Sequence, residues 1–282
     1  MSREQRDRSR TICVTGVASG IGAATAALLR RDGCHVIGVD QRDAEVVADL
    51  STADGRQAAV AGVLDASGGV LDGFVPCAGV GGLQSADLTV RINYFGVQAM
   101  LNGLRSALAA GDRAAVVLIS SNSTTTTPGL SIDDAQVYLD GDEAAAVNHF
   151  AARGWMAYPA GKLALAFWTR ASSAAWLADG IRLNAVAPGV IDTGMTRPLL
   201  DIDGIKEALD EIPIPAGRWG DAAEVASAIG FLLSPSTSYV VGQVLFIDGG
   251  TDAFMHPFAH PRPFSAGGDV SDGLSDSART AS

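Results

Sequence analysis

A tyrosine and a lysine stand four residues apart in the segment "AYPAGKLAL", where an apolar, alanine-rich run begins. Residues four apart lie on one face of a helix, one turn from each other. Pro159 fits only the first turn of a helix, because its missing N–H would have no partner there anyway. We therefore expect a helix that begins close to Tyr158, with Lys162 one turn further along.

A phenol next to an ammonium group can act as a general base. A free tyrosine has a pKa near 10 and is mostly protonated at neutral pH. An ammonium about 5 Å away, at an effective dielectric constant near 20, stabilises the phenolate by roughly 3 kcal/mol, or about two pKa units. We predict that Lys162 lowers the pKa of Tyr158 in this way, so that Tyr158 takes the hydroxyl proton of an alcohol while hydride leaves its carbon. An ordinary amphipathic helix face is the alternative explanation.

A glycine-rich turn, "TGVASGIG" (15–22), follows the first predicted strand. Gly16, Gly20 and Gly22 permit unusual dihedral angles and let a ligand approach the backbone. The start of the next helix offers unpaired N–H groups and the positive end of its dipole to a pyrophosphate. The turn therefore predicts a dinucleotide site, although such glycines can also serve packing alone.

An acid, Asp40, ends the second predicted strand. In dinucleotide-binding folds an acid about 20 residues beyond the glycine turn binds the adenosine ribose hydroxyls. Its charge would repel the 2′-phosphate of NADP, so Asp40 favours NAD as the cofactor, although Arg42 lies nearby. A helix N-cap or a surface acid is the alternative reading of Asp40.

Apolar strands alternate with helices along the chain, which predicts parallel β-α-β units. Crossovers of one hand then give a Rossmann-type, doubly wound α/β fold, with a seven-stranded parallel sheet and helices on both faces. The predicted strands are 11–16, 35–40, 46–51, 73–79, 114–121, 181–189 and 243–250, and the predicted helices are 21–33, 88–111, one that starts at Tyr158, and 221–233.

A single catalytic domain is predicted over residues 11–255, after a charged extension at 1–10. The segment 122–157, here called the insert, is too long for an ordinary connection and contains an acidic, helical piece. Residues 190–220 are predicted to form a substrate loop. The tail 256–282, rich in Pro, Gly, Ser and Asp, is predicted to be disordered.

The composition excludes several classes of function. The 282 residues are 48% hydrophobic and 18% charged, with 33 glycines, which suits a buried parallel sheet. The net charge of −11 argues against nucleic acid or an anionic membrane surface as a partner, and no apolar run is long enough to span a membrane. The three cysteines lack zinc-like spacing, so we predict reduced thiols, a cytoplasmic location and no metal.

Together these motifs resemble the short-chain dehydrogenase/reductase family. The family's T-G-x-x-x-G-I-G stands at 15–22, its Y-x-x-x-K at 158–162, and "DGG" (248–250) closes the last strand. The resemblance covers roughly residues 10–255. The family's N-x-x-x-P-G segment is present as Asn184, Pro188 and Gly189.

One departure from the family lies at the fourth strand. The family's N-N-A-G is replaced by Pro76-Cys77-Ala78-Gly79, so an asparagine that usually ties neighbouring strands is lost. The resemblance implies that the Ala-Gly pair still approaches the cofactor. The change therefore questions local stability more than chemistry.

The resemblance also implies roles for single residues. Ser121 would hold the substrate oxygen, with Ser123 as the alternative, because Ser120 must face the other side of the strand. Asn93 would help to carry protons through water near the lysine, or serve only as a helix hydrogen-bonding group. For Asp49, a plain turn residue is the alternative to a contact with the adenine amino group. The implied cofactor contacts are Gly16, Ser19, Gly20, Ile21, Gly22, Asp40, Asp49, Leu50, Ala78, Gly79, Tyr158, Lys162, Pro188, Gly189, Ile191 and Thr193.

Within the family, the run 38–56, the insert and residues 248–255 are similar to the bacterial 3α-hydroxysteroid dehydrogenase/carbonyl reductases. This resemblance implies NAD-dependent interconversion of a secondary alcohol and a ketone, with a hydroxysteroid as the leading substrate. Another hydrophobic or xenobiotic carbonyl compound is the alternative, as is a silent dinucleotide sensor, against which the intact catalytic residues argue. The predicted substrate-pocket residues are Met195, Leu199, Leu200 and Ile205, with Trp155 or Met156 opposite.

The resemblance further implies a homo-oligomer, because family members commonly associate through two surfaces. One surface is built on the last helix and strand, and the other on the helices flanking the fifth strand. An isologous contact at the second would set the acidic insert against its own copy, so we predict a dimer through the first and a weak or absent tetramer. The alternative is that the insert folds over the active site and the tetramer forms. The acids concerned are Asp133, Asp134, Asp140, Asp142 and Glu143.

Overall fold

Seven parallel strands form the central sheet of the protein, in the order β3-β2-β1-β4-β5-β6-β9. The computed structural model describes residues 9–202 and 204–259. The predicted Rossmann-type α/β fold is confirmed. The strands are β1 Thr11–Thr15, β2 His35–Asp40, β3 Val46–Val47, β4 Gly73–Pro76, β5 Ala115–Ile119, β6 Arg182–Pro188, β7 Ile191–Asp192, β8 Gly220–Asp221 and β9 Val244–Ile247, of which β7 and β8 form a separate parallel pair.

Helices cover both faces of the sheet, which explains the continuous apolar strand sequences. Successive strand residues point to opposite faces. Cys13 therefore packs into one apolar cluster, whereas Ile12 and Val14 belong to the other. The helices are α1 Gly20–Arg31, α2 Ala53–Ser67, α3 Ala86–Val90, α4 Val97–Ala109, α5 Ser123–Thr126, α6 Ile132–Leu139, α7 Glu143–Phe150, α8 Ala157–Ala178, α9 Ile205–Asp210, α10 Ala222–Leu233 and α11 Thr251–Met255.

Helix α2 was not expected from the sequence, and the third strand is shorter than predicted. Thr52 caps α2, since its side chain accepts the N–H of Gly55. Two glycines weaken the helical pattern of this segment, yet both are required by close contacts. A methyl group on Gly55 would overlap the carbonyl oxygen of Asp49, and one on Gly62 would lie 2.8 Å from a methyl carbon of Val46.

The predicted helix 88–111 is interrupted in its geometry. Its middle part, Arg91–Gly96, forms a π-helix between α3 and α4. Such wide turns are rare and often mark functional positions. This one contains Asn93, whose side chain exchanges two hydrogen bonds with the backbone of Val80, at 2.8 and 2.9 Å.

The insert is largely helical, as predicted for its acidic part. Helix α6 packs on α8, and α7 packs on α3. A short 3-10 turn at Gly154–Met156 then leads directly into α8. Two of the insert's acids are paired inside the molecule: Asp134 with Arg153 and Glu143 with Arg56.

The chain ends lie mostly outside the described residues. The predicted extension 1–10 and the predicted disordered tail 256–282 are described only at residues 9–10 and 256–259, where the Nε2 atom of His256 lies 2.8 Å from the carbonyl oxygen of Thr125. None of the helices found in the described part of the chain has the length and apolar character needed to cross a membrane.

Candidate active site

An open cleft lies at the carboxyl ends of the strands. In open α/β sheets, ligands bind at this edge. All predicted cofactor residues line the cleft except Asp49. Lining residues that the sequence interpretation did not single out are Val39, Gln41, Ala48, Cys77, Val80, Ile92, Ile119, Ser120, Gly194 and Thr196.

The glycine turn is shaped by space as well as by dihedral angles. Gly16 has φ +73° and Gly20 has φ +55°, in the region that side chains disfavour. A methyl group on Gly16 would lie 2.8 Å from the backbone nitrogen of Ala78, and one on Gly22 would overlap the carbonyl oxygen of Gly16. The turn therefore brings bare backbone to the cleft.

Helix α1 starts at this turn, and its first residues line the cleft. The first N–H groups of any helix have no acceptor within the helix. Ser19 is the N-cap of α1, but among the described contacts its side chain accepts none of them. These groups and the helix dipole fit the pyrophosphate of a dinucleotide.

Asp40 lies at the end of β2, on the wall of the cleft. Its two carboxylate oxygens accept the N–H groups of Ala18 at 3.0 Å and Gln41 at 2.7 Å, which ties it to the glycine turn. Asp49, in contrast, is exposed and does not line the cleft. It accepts hydrogen bonds from Ser51 and Gln41, and the Ser51 N–H lowers its pKa, as a turn residue would show. Its contact with the adenine amino group stays a prediction.

Tyr158 lies in the first turn of α8, as the sequence predicted. Its half-buried side chain lines the cleft together with Ser121. Lys162 is only 7% exposed. Its Nζ atom lies 5.6 Å from the centre of the Tyr158 ring and donates to the carbonyl oxygen of Ile119 at 2.8 Å. The Ser120 hydroxyl donates to the carbonyl oxygen of Lys162 at 2.9 Å, leaving Ser121 as the serine beside Tyr158.

Burial dominates the protonation of this pair. It raises the pKa of Tyr158 above its ordinary value, while the nearby Ser121 hydroxyl group acts in the opposite direction. Burial also lowers the pKa of Lys162 to about 8. Lys162 was expected to lower the pKa of Tyr158, and this expectation is wrong for the protein without a cofactor. Burial removes water from both side chains, which disfavours the charged phenolate and the charged ammonium.

Asn93 and Ser123 do not line the cleft. The side chain of Asn93, only 2% exposed, holds Val80 in the loop that follows β4. Its part in a water relay stays a prediction. The strand tie that the missing family asparagine would supply has a substitute: the hydroxyl group of Thr15 accepts the N–H of Ala78 at 2.9 Å.

Only part of the predicted substrate pocket is assembled. Met195 lines the cleft and reaches across to Gly81, where an added methyl group would lie 3.2 Å from its Cγ atom. Trp155 is 58% exposed and Leu200 is half-buried, and neither lines the cleft, so their predicted substrate contacts are not supported. Met156 is buried outside the cleft, and the side chains of Leu199 and Ile205 lie outside the described parts of the structure.

Metal-binding clusters are not found among the described residues: no group of three His, Cys, Asp or Glu side chains is placed to hold an ion.

The sequence and fold match known families. Residues 10–131 match the short chain dehydrogenase family, and residues 144–252 match the family described as Enoyl-(Acyl carrier protein) reductase. The chain is 41% identical over 255 residues to 3-alpha-hydroxysteroid dehydrogenase/carbonyl reductase of Comamonas testosteroni, which covers 87% of this chain and 98% of that protein. The chain therefore belongs to the short-chain dehydrogenase family, and the predicted family resemblance is confirmed.

Two solved structures show the same fold. The 3-alpha-hydroxysteroid dehydrogenase from Pseudomonas sp. B-0831, complexed with NADH, has a TM-score of 0.85 and 43% identity, covering 88% of this chain and 99% of that chain. Levodione reductase has a TM-score of 0.69 and 29% identity, covering 87% of this chain and 99% of that chain. The hydroxysteroid dehydrogenase structure thus resembles this protein more closely than levodione reductase does.

Proposed function

We propose that this protein is an NAD-dependent oxidoreductase that interconverts a secondary alcohol and a ketone, with a hydroxysteroid as substrate. The observation that carries the proposal is the meeting of Tyr158, Ser121 and Lys162 at the β5 side of a cleft whose β2 side holds Asp40. A positioned base, a hydroxyl group and a dinucleotide-binding turn in one cleft are what alcohol oxidation requires.

In the proposed reaction Tyr158 exchanges a proton with the substrate oxygen. Ser121 Oγ binds that oxygen beside the phenol, and Lys162 keeps positive charge near the ring. An ammonium group has three N–H bonds, and Lys162 gives one to Ile119, so others remain for a cofactor ribose. Bound oxidised nicotinamide would accept the hydride, and its positive charge would favour the phenolate of Tyr158.

Asp40 supports NAD as the cofactor in preference to NADP. Its carboxylate borders the cleft at the end of β2, and the N–H of Ala18 fixes its position. A 2′-phosphate placed there would meet like charge. The related hydroxysteroid dehydrogenase was solved with NADH, which agrees with this assignment.

The hydroxysteroid assignment is supported by the relatives and by the cleft. Both the curated relative and the solved structure with the higher TM-score are 3-alpha-hydroxysteroid dehydrogenases. Met195 provides an apolar wall on the substrate loop. The name of the first relative includes carbonyl reductase, so a wider set of hydrophobic ketones belongs in the test.

A spectrophotometric screen tests the proposal. NADH formation is followed with NAD and a panel of 3α-, 3β- and 17β-hydroxysteroids, cyclic alcohols and aliphatic secondary alcohols, and the reverse reaction is followed with the ketones. We expect 3α-hydroxysteroids to give the highest kcat/KM. NADH binding without turnover of any compound would contradict the proposal and support a dinucleotide sensor.

We also propose that the protein is a cytoplasmic dimer built on α10 and β9. The insert supports this: α6 covers part of α8 and α7 covers part of α3, the helices that a second interface would use. Asp134 and Glu143 are paired internally with arginines, which weakens the charge argument, so the steric cover by α6 and α7 is the main support. Cys13, Cys34 and Cys77 are free, as is usual for cytoplasmic proteins.

Sedimentation velocity at micromolar concentration tests the assembly. We expect one species with the mass of a dimer. A tetramer that persists on dilution, with the insert protected in the contact, would contradict this assignment and leave the proposed activity unaffected.

A further inference from the structure

Tyr138, in helix α6 of the insert, contacts the start of the Tyr158 helix. Its side chain is 1% exposed, and its hydroxyl group donates a 2.7 Å hydrogen bond to the carbonyl oxygen of Ala157. Ala157 is the first residue of α8 and directly precedes Tyr158. A residue far from the cleft wall thus binds the backbone that carries the proposed base.

The ring of Tyr138 also packs on Gly161. A methyl group on Gly161 would lie 3.3 Å from the Cζ atom and 3.4 Å from the hydroxyl oxygen of Tyr138. This contact explains why a residue with low helix propensity stands directly before Lys162. The hydroxyl group and the ring of Tyr138 therefore contact both ends of the turn that presents the phenol and the ammonium.

Other aromatic rings hold Tyr138 in place. Its ring centre lies 5.1 Å from that of Tyr94, 5.3 Å from that of Phe150, which it stacks on, and 6.3 Å from that of Phe95. Tyr94 and Phe95 belong to the π-helix, so this cluster joins α8 to a second element beside the cleft. Burial raises the pKa of Tyr138, so its hydroxyl group keeps its proton and remains a donor across the working pH range.

Ion pairs fix the insert on the opposite side of Tyr138. Glu143 accepts hydrogen bonds from Arg56 at 2.6 and 3.1 Å and from Arg91 at 3.0 Å. Asp134, almost fully buried, accepts from Arg153 at 2.7 Å. Because these carboxylates are bound at the ends of α6 and α7, the helix that carries Tyr138 is anchored, and Tyr138 can act as a fixed support.

We propose that Tyr138 is a positioning residue of the active site, which holds the first turn of α8 so that Tyr158 and Lys162 keep their relative position. The inference rests on the proposed function and gives the insert a role in it. Tyr138 does not line the cleft and acts only through α8.

The variant Tyr138→Phe removes the hydrogen bond and keeps the ring. We expect kcat to fall roughly tenfold, because a small displacement of the base weakens proton transfer in the transition state. The KM for the alcohol and the Kd for NADH should change by less than about twofold, because ground-state contacts are retained. Tyr94→Phe is the matched control: it removes a buried hydroxyl group from the same aromatic cluster and should leave kcat unchanged.

A second variant moves the ring without removing the hydroxyl group. Gly161→Ala favours the helix but pushes a methyl group against Tyr138. We expect lower kcat with an unchanged or higher Tm, which a role in stability alone would not produce. Equal kcat in Tyr138→Phe, Gly161→Ala and the wild type would overturn the inference.

Amide hydrogen exchange gives a readout that needs no substrate. We expect faster exchange at residues 161–164 in Tyr138→Phe, but not in Tyr94→Phe, because these are the first amides bonded within α8. A wild type that oxidises no alcohol with NAD would contradict the proposed function, and the exchange result would still decide the inference. Unchanged exchange, or equal changes in both variants, would overturn it.

Discussion

Two helices, α1 and α8, begin at the same cleft, and they present different kinds of functional groups to it. Helix α1 follows Ser19, an extended N-cap residue, and offers the cleft its own backbone between glycines. Helix α8 starts directly after a 3-10 turn, and in the described structure no side chain caps it. It offers the cleft two side chains, Tyr158 and Lys162.

The difference lies in what must be held in place. At α1 the functional groups are N–H groups, so the sequence needs only room for the backbone, which Gly16 and Gly22 provide. At α8 the functional groups are at the ends of long side chains, and their position depends on neighbours from distant segments. Burial shifts the pKa of both side chains, a cost that the start of α1 does not carry.

The largest effect expected is at α8. Tyr158→Phe should lower kcat by about 10²–10⁴-fold, because positioned proton transfer contributes that much. The Kd for NADH, measured by fluorescence, should change by less than about twofold, since α1 and Asp40 are untouched. Residual activity above about 10% of wild type would show that Tyr158 is not the base. A large loss of affinity for NADH would show that the start of α8 binds the cofactor as the start of α1 does.

The second prediction tests the backbone region. Gly22→Ala should lower the free energy of unfolding by about 3 kcal/mol, because its methyl group overlaps the carbonyl oxygen of Gly16. Gly194→Ala is the control: Gly194 lines the same cleft, and a methyl group there has nothing within 4 Å. Urea denaturation compares the two variants. If the free energy of unfolding fell by a similar, small amount in both variants, the glycine turn would have room to relax around the added methyl group.

The contrast between the starts of α1 and α8 also explains which parts of the site the sequence could predict. The glycine turn, Asp40 and the Tyr158–Lys162 spacing are local patterns, and all of them reach the cleft. Their predicted roles remain proposals, and the parallel sheet explains why the glycine turn and Asp40 lie at one edge. Adjacent parallel strands bring their carboxyl ends to one edge, so strand-end residues need no further information.

What could not be predicted depends on contacts between distant segments. The support that Tyr138 gives to Ala157, and the π-helix around Asn93, arise from tertiary packing without a local signal. Trp155 or Met156 was predicted to face the substrate pocket, yet Trp155 lies in the 3-10 turn, is 58% exposed and does not line the cleft.

The third prediction concerns cofactor choice at the backbone region. Asp40→Ala should reduce the preference for NAD over NADP, measured as a ratio of kcat/KM values, by about tenfold, because a like-charge contact is removed. Asp40→Asn is the matched variant, since it removes the charge and retains one acceptor oxygen for the Ala18 N–H. If Asp40→Ala reduced the preference for NAD over NADP and Asp40→Asn did not, the effect would come from the shape of the glycine turn and not from the charge of Asp40. A wild type with higher kcat/KM for NADP would contradict the assignment of Asp40.

The smallest expected effect tests the cost of burying charge at α8, in protein free of dinucleotide. Burial lowers the pKa of Lys162 from 10.5 to about 8. Between pH 8 and pH 9 the native state therefore loses this proton while the unfolded chain keeps it. Because the unfolded state then binds more protons, the free energy of unfolding rises with pH.

Relative to Lys162→Met, the free energy of unfolding of the wild type should rise by about 1 kcal/mol over this interval. Raised thiol pKa values oppose the rise in the same interval, but they are common to both proteins and do not enter the comparison. Parallel curves for Lys162→Met and the wild type would show that Lys162 keeps its proton in the native protein, and the two helix starts would then differ in geometry but not in electrostatic cost.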